Sequence, residues 1–403
     1  MRMSRGAFVP VVAIGLVQLA GSGTGLVGHM VEHTVATGLT SGYQVVIADM
    51  NKDGKPDLIA VAEGLTDLVW FENPSWQRHV IAGGFSRMIN VAAYDIDGDG
   101  IPELALGHEF NNVPPKSVGI VSILTHQPDL NAAWSVKEID RLPASHRLRW
   151  ADIDGSGKKV LVNFPLAAAT AEPPDYRGHV PLVYYRPGEW KRQMISETEE
   201  GAAHGIAVVN WDGGKRESLL AGSFLGISLY RFANGNWTRA ALTKGDPSPW
   251  PKSGASDVAL GHQNRERFLA AIEPFHGNQV VVYTEQQDGW QRRVLDDSLV
   301  EGHTIVTADL DGDGRDEVIA GQRGAPRRVS IYSRPAGADW TREILDDGGI
   351  AACSCAVADL NADGRPDIAC IGMATANLKW YENRLPRAML RPARRGSRPA
   401  VIR

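Results

Sequence analysis

Residues 308–314 read ADLDGDG, three aspartates on alternate positions with two glycines among them. Variants recur along the chain, with loop cores that begin at Asp49, Asp95, Asp152, Asn210, Asp309 and Asp359, adjacent copies lying roughly 46 to 58 residues apart. The long gap between Asn210 and Asp309 holds one more copy, DVALGHQNRERFLAAIEP (257–274), which has lost its loop aspartates. That makes seven. Each copy has one grammar: an apolar run enters the loop (HTIVTADLDGDG), a second leaves it (DEVIAGQ), a third follows a Gly/Pro connection (RVSIYSR), and a fourth begins at Trp (WTREIL). Runs of strand length, rich in Val, Ile, Tyr and Trp and separated by turn residues, predict a four-stranded antiparallel unit. Seven such units predict an all-β, seven-bladed β-propeller.

The fourth runs supply the evidence for closure. WQRHVI, WSVKEI, WKRQMI, WTRAAL, WQRRVL and WTREIL are six, and none follows the last copy. Its counterpart, MVEHTV at 30–35, precedes the first loop. The N-terminal strand is therefore expected to complete the last blade and cover its edge, with the propeller spanning 29–383.

Four loops keep oxygen-bearing side chains at positions one, three, five and nine: Asp49, Asn51, Asp53 and Asp57; Asp95, Asp97, Asp99 and Glu103; Asp309, Asp311, Asp313 and Glu317; Asp359, Asn361, Asp363 and Asp367. Alternate carboxylates on a tight turn suit a hard cation wanting six to eight oxygens, so structural calcium is expected there. Asp152/Asp154/Ser156 and Asn210/Asp212 are degraded copies, expected to be empty.

Forty-three glycines, 23 prolines and 11 tryptophans favour turns and short strands over helices. The formal charge is −5, but residues 384–403 carry seven arginines and no acid, leaving −12 on the remainder. A body so acidic argues against nucleic acid, and the Arg/Pro tail reads as a solvated end. Residues 1–22 combine Arg2 and Arg5, an apolar run from Ala7 to Ala20 and small residues, the layout of a signal peptide for secretion or export to a periplasm. No other stretch is apolar enough to span a membrane. Cys353, Cys355 and Cys370 are too few and too clustered for a disulfide framework.

The repeat geometry sorts the histidines. If the Asp loops lie on one face of the disc, the start of each first strand and the end of each second strand lie on the other. His146, His204 and His303 each stand six residues before a first loop ligand, at the mouth of the axial channel, where Tyr43 and Cys353 hold the equivalent places. The ends of second strands add His108 and Glu109, Glu273 and His276, and Gln322 and Arg323. Three imidazoles around an axis would suit zinc or another divalent transition metal. In this reading His146, His204 and His303 ligate metal, Glu273 or Glu109 is ligand or base, and His276 or His108 carries the proton.

The DxDGDGxxD turns within four-stranded repeats resemble FG-GAP/VCBS repeat proteins. FENPSW (71–76), EGHTIVTADLDGDG (301–314) and AIEPFHGNQVVVYTE (271–285) resemble the propeller domain of aldos-2-ulose dehydratases. That resemblance implies an exported hydro-lyase acting on a ketone-bearing sugar of the aldos-2-ulose or 1,5-anhydrofructose type. The alternative is a noncatalytic, calcium-stabilised propeller that binds glycan or protein.

Overall fold

The computed structural model describes residues 25–386; the signal-peptide reading of 1–22 and most of the basic tail lie outside them. Seven four-stranded antiparallel sheets form the blades of a propeller. Blades 1 to 6 span 42–82, 90–141, 145–200, 203–243, 257–296 and 302–347, each in simple up-and-down order. Blade 7 takes three strands from 352–383, and Met30–Thr37 pairs antiparallel with Asn377–Asn383 as its fourth. Last blade and first strand close the ring, as the missing Trp run required. No helix among the described residues is long and apolar enough to cross a membrane.

First strands touch those of the neighbouring blades around the whole ring and therefore line the axis. Second and third strands are almost wholly buried, whereas fourth strands such as Ser135–Arg141 face solvent. The apolar side chains divide into eight clusters. Seven of them sit between adjacent blades; Ala151, Val162 and Tyr184 of blade 3, for example, pack on Ile206, Leu219 and Tyr230 of blade 4. The eighth covers one end of the axial channel.

A polar latch also joins successive blades, and the sequence reading did not foresee it. A carboxylate at the end of one fourth strand accepts a hydrogen bond from a buried tyrosine of the next blade's third strand and pairs with a cation beside it. The sets are Asp140 with Tyr185 and Arg192, Glu199 with Tyr230 and Arg239, Asp296 with Tyr332 and Arg342, and Asp346 with Tyr381 and Lys379. Charge-assisted bonds of this kind contribute about 1.5–3 kcal/mol each when one partner is buried. Tyr332→Phe is expected to lower stability by about 1–3 kcal/mol without altering the far-ultraviolet spectrum, measured by urea unfolding.

Cys355 and Cys370, paired residues on neighbouring strands of blade 7, form a disulfide, and Cys353 remains a free, buried thiol. The pairing was not legible in the spacing because it depends on strand register.

Candidate functional site

The Asp loops lie on one face of the disc, each bent by a glycine with positive φ at position six, as at Gly314 (φ 84°). Loop aspartates accept N–H groups of their own turn: Asp49 from Asp53 and Gly54, Asn51 from Asp53, and Asp53 from Lys55. The carboxylate at position nine spans the loop and binds the N–H of its second residue. Asp57 reaches Met50 in this way, Glu103 reaches Ile96, Glu317 reaches Leu310 and Asp367 reaches Leu360. Two loops bring three carboxylates within 4.8 Å of one another: Asp95/Asp97/Asp99 and Asp309/Asp311/Glu317. In the second, Asp309 Oδ1 is buried without a hydrogen-bond donor. Burial first, then the neighbouring acids, pushes Glu317 up to about 9, the strain a bound cation would relieve. In the degraded loop of blade 3, Glu217 of blade 4 reaches Asp152 N and the Lys159 ammonium lies 3.5 Å from it.

The opposite end of the channel gathers the histidines, and β-bulges aim them. In blades 1, 3, 4, 6 and 7 the pairing of first and second strands slips by one residue. The residue left unpaired is Tyr43, His146, His204, His303 and Cys353 respectively. An extra residue in one strand bends it and redirects a side chain. Here it turns five side chains toward the axis. His276 joins them from the loop after the second strand of blade 5, held at φ 46°, a left-handed conformation uncommon for a non-glycine residue. Gly205 permits the close approach of blades 4 and 5, because a Cβ there would meet Asp257 Cα at 2.7 Å.

Ligating atoms of His204, His276 and His303 lie within 4.8 Å of one another. His303 Nδ1 donates to the Cys353 carbonyl at 2.6 Å, which leaves a lone pair on Nε2, 3.8 Å from Cys353 Sγ. Arg147 Nη2 donates to His204 Nε2 at 3.2 Å, so the His204 proton sits on Nδ1, facing Ser256 Oγ at 3.3 Å. His276 Nε2 lies 3.2 Å from the same His204 nitrogen and must donate to it, while Arg323 donates to His276 Nδ1 at 3.2 Å. His146 stands beside the trio, its ring centroid 4.9 Å from that of His204. Its Nε2 accepts both the Tyr43 hydroxyl at 2.8 Å and Arg147 Nη1 at 3.2 Å.

The imidazoles brought within ligand distance of one another are His204, His276 and His303, where His146, His204 and His303 were expected; His146 stands beside them, its Nε2 accepting from Tyr43 and Arg147. Glu273 does not face the axis: its buried carboxylate accepts Tyr283 Oη at 2.5 Å and pairs with Arg292, both within blade 5. Burial raises it to about 7. His108 is turned into blade 2, against Ser122 and Phe85, and Glu109 accepts from Ser86 at the edge of that blade. Neither is brought to the trio.

The site is dry. His146, His204 and His303 are at most 2% exposed, Cys353 is 2% exposed and Arg147 is 7% exposed. An apolar cover of Phe110, Leu166, Ala168, Tyr176 and Phe224 lies over them, with Phe275 against it. Trp250 fastens this cover by donating to the Asp175 carbonyl, and Arg177 stacks on its ring. Burial holds all four imidazoles well below their usual range, reinforced by Arg147 at His146 and His204 and by Arg323 at His276 and His303. Burial likewise pushes the Cys353 thiol up to about 11. At neutral pH the cluster is a set of uncharged bases flanked by guanidiniums.

Comparison with known proteins agrees with the geometry. A family model for FG-GAP-like repeats matches residues 49–106 and 309–370, the four full Asp loops. These two stretches are similar to FG-GAP-like repeats. The model of the aldos-2-ulose dehydratase β-propeller domain matches residues 118–286 of the propeller, a stretch containing His146, His204 and His276. It is 28% identical over 240 residues to an aldos-2-ulose dehydratase of Phanerodontia chrysosporium, covering 51% of this chain and 26% of the relative. The chain thus spans about a quarter of the relative's length. Among solved structures, the Dos1 propeller superposes with TM-score 0.55 at 8% identity, covering 84% of this chain and 78% of that one. A virginiamycin B lyase from Staphylococcus aureus gives TM-score 0.55 at 12% identity, covering 87% and 98%. These two similarities concern the fold alone.

Proposed function

We propose that the protein is an exported, metal-dependent lyase that dehydrates a ketone-bearing sugar, of the aldos-2-ulose or 1,5-anhydrofructose type, at the axial pore. The observation that carries this reading is the convergence of three neutral imidazoles from blades 4, 5 and 6 in a largely buried site. Similarity to the propeller of a dehydratase supports it, and the Cys355–Cys370 disulfide supports export, since such bonds persist in oxidising compartments.

His204, His276 and His303 would hold a divalent transition metal. The Nε2 atoms of His303 and His204 carry lone pairs; His276 fits once its proton moves to Nδ1 and Arg323 swings aside. Such an ion, when bound, supplies Lewis acidity toward a carbonyl oxygen. The residue that moves protons is then the fourth imidazole. Tyr43 takes the proton alpha to the ketone as its own passes to His146 Nε2, 2.8 Å away. The imidazolium returns that proton through the same hydroxyl to the departing beta hydroxyl. Water leaves, a carbon–carbon double bond forms, and the dyad is restored without net oxidation or reduction. Calcium in the loops of blades 1, 2, 6 and 7 would stiffen the turns on the opposite face.

The test is incubation with 1,5-anhydrofructose and a panel of osones, following the ultraviolet absorbance of a conjugated enone, with metal analysis in parallel. Wild type is expected to produce the absorbance and retain about one zinc or manganese per chain after mild dialysis. His204→Ala is expected to lose that ion and at least ~100-fold in turnover. Calcium alone, with no absorbance on any osone, would overturn the lyase reading and leave a glycan- or protein-binding propeller.

A further inference from the structure

His146, His204, His303 and Cys353 are at most 2% exposed, so a ligand reaches them only if part of the cover above them moves. His276 and Arg323 alone keep partial exposure at this site. One piece of the cover is held differently from the rest. The connection between second and third strands is short in blades 4 and 7, at 224–225 and 373–376, but runs over 166–178 in blade 3. A loop of that length with no strand or helix of its own is uncommon, and such loops are usually functional. From Ala168 onward only Ala168, Ala171 and Tyr176 turn down into the apolar cover, while Thr170, Glu172, Asp175 and Arg177 are exposed.

The segment is compact and starts and ends at one neck. Tyr176 N–H donates to the Glu172 carbonyl and Ala171 N–H to that of Ala168. Gly178 has φ 122°, and a Cβ there would lie 2.8 Å from the Cβ of Ala168. Just before the neck the chain is pinned, since Leu166 donates to the Ala144 carbonyl and accepts from Ala203 N–H. Beyond it the ties are weak. The Tyr176 hydroxyl donates to the Asn112 carbonyl at 3.0 Å, Trp250 Nε1 donates to the Asp175 carbonyl at 2.9 Å, and the Arg177 guanidinium lies 4.0 Å from the Trp250 ring. Neutral hydrogen bonds and an exposed cation–π contact contribute far less than the strand pairing that holds a blade. Trp250 itself sits on a stiff strap, the connection 244–256 between blades 4 and 5. Asp246 and Gly254 exchange backbone hydrogen bonds at its base, Asp246 also accepts from Gln279, and Pro247, Pro249 and Pro251 restrict what lies between.

We infer that residues 168–178 are a lid over the axial site and that Trp250, on the fixed strap, is its latch. The inference rests on the reading of the axial cluster as the ligand site and adds how that site is entered. The lid lifts about its neck once the Trp250 contacts break, without disturbing the strands of the ring. Tyr176 leaves with it. That uncovers Phe224 and Phe275, whose rings Tyr176 meets edge-on, and Phe275 lies flat on His276 with ring centroids 4.0 Å apart. Opening the lid therefore opens the way to the imidazole trio.

Cys353 reports the opening. It is the one thiol outside the disulfide and lies beneath the cover, so its alkylation by N-ethylmaleimide in the native protein, followed by intact mass, measures access without any substrate. Trp250→Ala is expected to label at least ~10-fold faster than wild type. Arg177→Ala, a change at an exposed side chain, should act in the same direction and keeps the test decisive if Trp250→Ala does not fold. Tyr332→Phe, which weakens the ring far from the lid, is expected to leave the labelling rate unchanged. Two outcomes would overturn the inference: labelling of both lid variants at the wild-type rate, or equal acceleration in Tyr332→Phe, which would show that the thiol is reached by opening of the ring. Turnover is read separately. Faster labelling of the lid variants with no enone from any osone sinks the lyase reading alone, whereas enone formation with labelling indifferent to Trp250 and Arg177 sinks the lid alone.

Discussion

A chain that begins at Gly38 is expected to lose cooperative folding, because Met30–Thr37 is the outer strand of blade 7 and lies far in sequence from its partner. Without it, Asn377–Asn383 becomes an open edge with unpaired N–H and C=O groups. The buried Lys379 ammonium loses Glu32 while keeping Asp346, and the Trp380 ring loses the stacked His33. Met30 and Val35 leave two of the inter-blade cores, and Glu343 loses the backbone N–H groups of Leu26 and Val27. Each loss is about 1–3 kcal/mol, and together they approach the whole stability of an ordinary domain, about 5–15 kcal/mol. The truncated protein should elute as aggregates by size exclusion and show no sharp thermal transition. A synthetic peptide of residues 25–37 should restore the elution volume of the intact protein. Unchanged melting of the truncated chain would show that the ring holds without its closing strand.

The second large effect is acid sensitivity built into the axial cluster. His146, His204, His276 and His303 are held well below their usual range in the folded protein, chiefly by burial. On unfolding each returns to about 6.5, so below that pH the unfolded chain binds protons that the folded chain refuses. Their contribution to stability is complete above pH 6.5 and is lost as the pH falls. Each proton is worth about 1.4 kcal/mol per pH unit, and four give about 5 kcal/mol per unit at the limit. Buried carboxylates act with the opposite sign: Asp57 and Glu273, each raised to about 7, are more easily protonated when folded. Those terms cancel in a difference. Unfolding free energies of chelated wild type and of a variant carrying His→Gln at all four positions should therefore diverge in slope between pH 6.5 and 5, with wild type falling more steeply. Parallel lines would show that the imidazoles take up protons without unfolding.

Much of this was legible in the chain itself. The period of the Asp loops, the Trp-led fourth strands and the surplus run at 30–35 determined the blade number, the strand order and the closure, because each repeat must bury its faces against copies of itself. The same spacing put His146, His204 and His303 at one equivalent position, with Tyr43 and Cys353 in the matching places. Sequence order could not say where those side chains point. That was decided by one-residue slips in strand pairing, present in five blades and absent from blades 2 and 5, which depend on the register each blade adopts against its neighbours. Glu273 shows the other side of the same rule. Its place at the end of a second strand suggested a catalytic acid, but Tyr283 and Arg292, reached only across folded strands, hold it in a buried ion pair within its own blade. Identity and spacing therefore determined the ring and its candidate residues. Only the packed blades decided which imidazoles meet and which side chains they meet, because those outcomes depend on distances and burial that no single repeat contains.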